Sequence, residues 1–131
     1  MHRVKAMALA NLGNGSDPFN TSALLDVLDA RNAGYASNYN VVNYVNNHDH
    51  TRLFHALGSD TGIFGEAAFR RARLAATLLM TSPGIPMLWM GEEFGQANDR
   101  GGSGDSRPLQ WELLESESNR GLLEHYKFLI W

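Results

Sequence analysis

The sequence predicts an α/β fold, and three observations carry that prediction. Segments with helical apolar spacing alternate with short apolar runs, in the order helix, strand, helix, strand, helix. The run 85–90 (IPMLWM) is nearly all apolar, as a parallel strand buried on both faces requires. Between it and the β-branched run 41–46 (VVNYVN) lies a long helical segment, the crossover that two adjacent parallel strands need.

The elements follow in chain order. Residues 1–20 are a loop-rich lead-in, punctuated by Asn11, Gly13, Asn14, Gly15, Asp17 and Pro18 around a short apolar stretch at 6–12. Thr21 or Ser22 caps a helix over 21–32, on which Leu24, Leu25, Val27 and Leu28 repeat at helical spacing. Residues 32–40 hold Gly34 and a run of asparagines and serines, a connection. The first strand is 41–46. Gly58, Gly62 and Gly65 mark 56–65 as a loop, and the Ala-, Leu- and Arg-rich stretch 66–81 is a helix ended by Ser82-Pro83-Gly84. The second strand, 85–90, runs into Gly91-Glu92-Glu93-Phe94-Gly95, and 96–108 is a glycine-rich polar loop. The last helix spans 118–130. It is strongly apolar and stops at Trp131 with no capping glycine or polar tail, so it reads as cut. The body 21–131 is therefore one α-β-α-β-α unit.

With 131 residues the chain is one domain's worth of sequence. Its hydrophobic fraction of 44% and charged fraction of 19% are those of a globular protein. The net charge of −3 offers no basic face to a nucleic-acid backbone, and no apolar run is long enough for a membrane span. Absence of cysteine removes disulfides, thiolate zinc sites and a thiol nucleophile, and a cytoplasmic setting fits it. No secretory signal pattern opens the chain.

Two clusters are candidates for chemistry, both at the C-terminal ends of the strands, where functional groups of parallel α/β structures collect. The first is Asn47-His48-Asp49, with His50 and His55 close behind. These residue types fit a metal site, a site for a sugar or other polar substrate, or a capped loop with exposed histidines. No helical His pair of the HExxH kind supports the metal alternative. The second is Glu92-Glu93. Adjacent carboxylates there can bind hydroxyls, or one can pair with an arginine while the other is solvated; alternation along a strand sends them opposite ways. Arg52 is a candidate partner for a nearby carboxylate. Arg70, Arg71 and Arg73 read as a solvated helix face, and Met80, Met87, Met90 and Trp89 as core. Trp111, in a loop region, is the better candidate for stacking on a ligand.

Taken together, the two strand ends resemble the α-amylase family of α-glucan-active enzymes. Val41-Val42-Asn43-Tyr44-Val45-Asn46-Asn47-His48-Asp49 is similar to the family's fourth signature region, on its seventh barrel strand. Pro83-Gly84-Ile85-Pro86-Met87-Leu88-Trp89-Met90-Gly91-Glu92-Glu93-Phe94-Gly95 resembles the eighth strand and its loop, and Pro108-Leu109-Gln110-Trp111 the short Pro-Met-Gln-Trp segment beyond it. The resemblance covers roughly 35–131. Within the family, the run 90–96 (MGEEFGQ) looks most like 1,4-α-glucan branching enzymes and related trehalose-releasing enzymes.

The resemblance implies a partial (β/α)8 TIM barrel: about the last two βα units, plus a preceding helix. Asp49 then matches the carboxylate that stabilises the transition state, and His48 the histidine that binds sugar hydroxyls at the cleaved residue. Asn47, Glu92, Glu93 and Trp111 join them as substrate-binding candidates. The implied reaction is retaining glycosyl transfer on an α-glucan such as glycogen, starch or a maltooligosaccharide. Branching is the foremost reading, α-amylase-type hydrolysis its alternative, and a non-catalytic carbohydrate-binding or interaction fragment the reading of another class. No metal or cofactor is implied, and the expected partners are the remainder of the barrel or a second copy. Retaining glycosidases also need a nucleophile and an acid/base. The first 65 residues contain no glutamate and no Gly-x-Arg-x-Asp pattern, and Asp17, Asp26 and Asp29 do not follow a strand. The chain by itself is therefore expected to be inactive.

Overall fold

The computed structural model describes residues 28–98 and 108–131. Two three-residue strands, β1 (Val42–Tyr44) and β2 (Ile85–Met87), pair in parallel, with Val42 opposite Ile85, Asn43 opposite Pro86 and Tyr44 opposite Met87. Three α-helices accompany them: α1 (Leu53–Thr61), α2 (Gly65–Thr81) and α3 (Glu117–Ile130). Short 3-10 turns occupy Ala30–Ala33, Asn38–Asn40, Glu92–Phe94 and Trp111–Glu115. No helix among the described residues is long and apolar enough to cross a membrane.

The parallel pairing expected from the sequence is present, but each strand is shorter than its apolar run. Pro86 is tolerated because successive residues of a parallel strand address opposite neighbours. The Ile85 amide donates to the Val41 carbonyl at 2.9 Å, which leaves the missing Pro86 donor on the open edge. The expected burial of 85–90 on both faces is not met. Ile85, Pro86 and Met90 are exposed, since no described element covers that side.

The predicted helix over 21–32 lies largely outside the described residues, as does the lead-in 1–20. Its visible end is a 3-10 turn capped by Asp29, whose carboxylate accepts from the Arg31 amide at 3.1 Å.

Helix α1 corrects the loop expected at 56–65. Gly58 lies inside it because a β-carbon there would sit 2.7 Å from the Phe64 ring, which folds back over the helix. Gly62 ends it in the left-handed conformation, with φ 66°. The glycines therefore mark a ring contact and a cap, and α1 continues between them.

The core is an alanine seam. Ala68, Ala72, Ala75, Ala76 and Leu79 line the buried face of α2 at helical spacing, and Leu122 and Tyr126 of α3 pack with them and with Leu53 and Leu57 of α1. Small side chains allow close helix approach, while each fully buried leucine contributes about 1.5–3 kcal/mol. His125 of α3 reaches across to Thr77 Oγ1 at 3.0 Å. The arginine cluster is divided: Arg70 is exposed and Arg73 pairs with Glu66, but Arg71 is buried, contrary to the solvated face expected.

The turn into β2 depends on Gly84. Its φ is 125°, and a β-carbon would meet Asn43 Nδ2 at 2.7 Å and the Val41 carbonyl at 2.9 Å. Asn43 Nδ2 in turn donates to the Pro83 carbonyl at 2.8 Å, tying β1 to the turn. Gly84→Ala is expected to destabilise the chain by roughly 2–4 kcal/mol through strain and overpacking. Gly121→Ala, on a helical residue with open space around it, should stabilise by about 0.5–1 kcal/mol. Urea unfolding of both variants checks the pair; a loss below about 0.5 kcal/mol for Gly84→Ala would show that the turn relaxes.

Candidate active site

The two parallel strands end side by side, and the candidate residues gather beyond those ends. After β1 the chain enters the buried pair Val45 and Asn46, then the turn 47–52. Asn47 shapes the turn: its Oδ1 accepts from the Asp49 amide at 2.9 Å and bonds His50 Nδ1. This lifts His48 and Asp49 to the exposed tip, with side chains 71% and 61% accessible and Nε2–Oδ2 at 3.3 Å. Trp89, two residues past the end of β2, faces the His48 ring at 6.0 Å between centroids. The tip thus offers an imidazole, an acceptor-only carboxylate and an aromatic face, groups suited to a polyhydroxylated ring.

Below the tip the site is built of buried amides and one buried carboxylate. Asn46 Oδ1 accepts from the Leu53 amide at 2.8 Å, closing the base of the turn, and its Nδ2 donates to Glu92 Oε2 at 3.0 Å. The Tyr126 hydroxyl of α3 donates to Glu92 Oε1 at 2.8 Å. Arg52 Nη1 donates to the Met90 carbonyl at 2.8 Å, a second tie between the strand ends. Burial pushes Glu92 up to about 7, only partly offset by the Tyr126 and Asn46 hydrogen bonds. Burial and the neighbouring Glu92 push Tyr126 up as well.

Gln96 plays a comparable part after β2. Its Oε1 accepts from the Gln110 amide at 3.1 Å and its Nε2 donates to the Pro108 carbonyl at 3.2 Å, holding together the two sides of 97–109. Gly91 leaves room for it: a β-carbon there would lie 2.7 Å from Gln96 Oε1.

Of the sequence-predicted residues, Asn47, His48 and Asp49 come together at the tip. Glu92 does not join them as a substrate-binding carboxylate: it is 5% exposed, and both its oxygens are engaged by protein donors. Glu93 instead lines an open cleft of about 390 Å3 whose walls include Trp89, Tyr126 and Lys127. Trp111 is exposed and rests on Phe94, with ring centroids 5.5 Å apart. Trp89, read from sequence as core, is the tryptophan that stands beside His48. Its position at the end of the apolar run was the available signal. His50 stacks near Tyr44 and His55 sits on α1, and among the described residues no three His, Asp or Glu side chains converge on a common metal position.

The α-amylase catalytic-domain family matches residues 6–124. The chain belongs to that family. Similar members include Neopullulanase 2 of Thermoactinomyces vulgaris, 40% identical over 91 residues, which are 67% of this chain and 13% of the relative. Alpha-amylase MalA of Haloarcula japonica is 33% identical over 94 residues, 71% of this chain and 12% of the relative. The chain thus spans about an eighth of the length of these α-amylase-family relatives. No solved structure gives a significant match.

Glu92 gives the chain a pH signature. Its folded value, about 7, lies above the ordinary 4.5, so the folded state holds a proton that the unfolded state has already released. The stability from this group is complete below about 4.5 and falls as pH rises to about 7, by an order of 3 kcal/mol. Thermal melts across that window should show the decline in the wild type and a flatter profile in Glu92→Gln. Parallel profiles would remove the assignment.

Proposed function

We propose that this chain forms part of an α-glucan-active enzyme of the α-amylase family, contributing the last two βα units of its (β/α)8 barrel. The observation that carries the reading is the exposed His48–Asp49 pair beside Trp89, at the C-terminal ends of two parallel strands. Asp49 is assigned as the transition-state stabiliser. An oxocarbenium-like transition state reshapes the sugar ring and gathers positive charge. A carboxylate bonded to the ring hydroxyls holds that distorted ring better than the relaxed one, and such differential binding raises rate. His48 donates to or accepts from neighbouring hydroxyls, and Trp89 supplies a stacking face. The nucleophile and the acid/base come from other strands of the whole enzyme.

Two finer readings have separate supports. The run 90–96 favours 1,4-α-glucan branching, and the relatives named neopullulanase and α-amylase favour hydrolysis. A whole enzyme bearing this segment distinguishes them on amylose. Branching lowers iodine absorbance without new reducing ends, because the severed segment is rejoined, whereas hydrolysis creates one reducing end per cut.

The 131-residue polypeptide on its own should show no turnover. Without a nucleophile no glycosyl-enzyme intermediate forms, and loss of general acid catalysis alone removes roughly 10²–10⁴-fold. Asp49 cannot stand on both sides of one bond. Incubation with soluble starch, following reducing ends and iodine absorbance against an Asp49→Asn control, checks this. Turnover above the control would overturn the assignment of Asp49 as stabiliser alone.

A further inference from the structure

Glu92 is the one deeply buried acid among the described residues, and no step of the proposed chemistry uses it. Its surroundings give it a task. The base of the turn 47–52 is closed by Asn46, whose Oδ1 accepts from the Leu53 amide just past the turn. An asparagine amide is nearly symmetric in shape, and rotating it by half a turn exchanges donor for acceptor. In the rotated state Nδ2 would face the Leu53 N–H, and the turn would lose its base. Once ionised, above about pH 7, the carboxylate accepts only, so Glu92 Oε2 then admits Nδ2 and rejects Oδ1. Asn46 is 2% exposed, so water cannot substitute for a missing partner. Tyr126 holds the other oxygen of Glu92 and so sets the carboxylate against α3.

We propose that Glu92 is a positioning residue for the His48–Asp49 turn: by fixing the orientation of the Asn46 amide it holds the turn closed and keeps His48 against Trp89. The proposal rests on the functional reading above for the importance of that turn, and on the hydrogen-bond geometry for the mechanism.

Hydrogen exchange and ring-to-ring nuclear Overhauser contacts in the 131-residue chain test it, recorded above about pH 7, where Glu92 is ionised. Glu92→Leu keeps the bulk and deletes the acceptor. The Leu53 amide should then exchange about tenfold faster relative to α2 amides such as Leu79, and the His48–Trp89 contact should be lost. Unchanged Leu53 protection, or a loss equal to that of Leu79, overturns the proposal, since the latter is general destabilisation. A reversed pair gives a second route should Glu92→Leu not fold. Asn46→Asp sets two acceptors against each other, and adding Glu92→Gln restores a donor opposite an acceptor. The double variant should recover Leu53 protection and the His48–Trp89 contact; a double variant no better than Asn46→Asp overturns the proposal. Titration with maltotriose separates the two readings. Absence of shifts at His48 and Trp89 in a wild-type chain with an intact turn counts against the glucan reading and leaves the positioning role standing.

Discussion

The arrangement of the strand ends depends on one buried carboxylate held by two donors. Glu92 receives the Asn46 amide from beyond β1 and the Tyr126 hydroxyl from α3, so one side chain fastens three parts of the chain that are distant in sequence. Removing a carboxylate from water is costly, and two hydrogen bonds return only part of that cost. The surplus comes from the core around it: Tyr126 and Leu122 are seated on the alanine face of α2, and that seat brings the hydroxyl to Glu92. Helix packing and the polar tie are therefore mutually dependent.

The same device recurs at three places where the described chain leaves regular structure. Asn46 closes the turn after β1, Gln96 joins the sides of 97–109 after β2, and Asn119 Nδ2 binds the Phe94 carbonyl at 2.7 Å between them. Each is a buried amide satisfying backbone groups outside the strands: the first amide of α1, the Pro108 carbonyl and Gln110 amide, and the Phe94 carbonyl. With only three residues per strand, backbone pairing alone supplies little rigidity, and the amides carry the geometry out to the tip. The exposed His48 and Asp49 thus stand on a buried polar floor. That arrangement suits groups which must meet a ligand from solvent without moving far to do so.

What the sequence made legible follows from which signals are local. The parallel strands and helices α2 and α3 were readable because apolar spacing and alanine content act within a few residues. Helix α1 was not, because Gly58 answers to Phe64 across a turn of chain, and a glycine's reason for being there is visible only once the ring is placed. At the site, Asn47, His48 and Asp49 were legible because one short motif at a strand end contains them. The role of Glu92 was not legible, since its partners lie 46 residues before it and 34 after it. Trp89 and Trp111 differ for a similar reason. Which tryptophan flanks the tip depends on where β2 stops, and it stops at Met87, earlier than its apolar run suggests.

The apolar residues left uncovered fit the proposed place of this chain in a barrel. Val42 and Ile85, opposite each other in the register, are 47% and 60% exposed, and Phe128 and Ile130 of α3 are exposed as well. A two-stranded sheet has two open edges, each a row of unpaired backbone groups that invites another strand. In a closed (β/α)8 barrel both edges gain partners and the strand side chains fill the barrel interior. The residues that look misplaced in the isolated chain are thus those whose neighbours the proposed barrel supplies. The Asn46–Glu92–Tyr126 tie needs no such neighbour: its side-chain groups are already paired within the chain, so the base of the His48–Asp49 turn is held by residues this chain itself supplies.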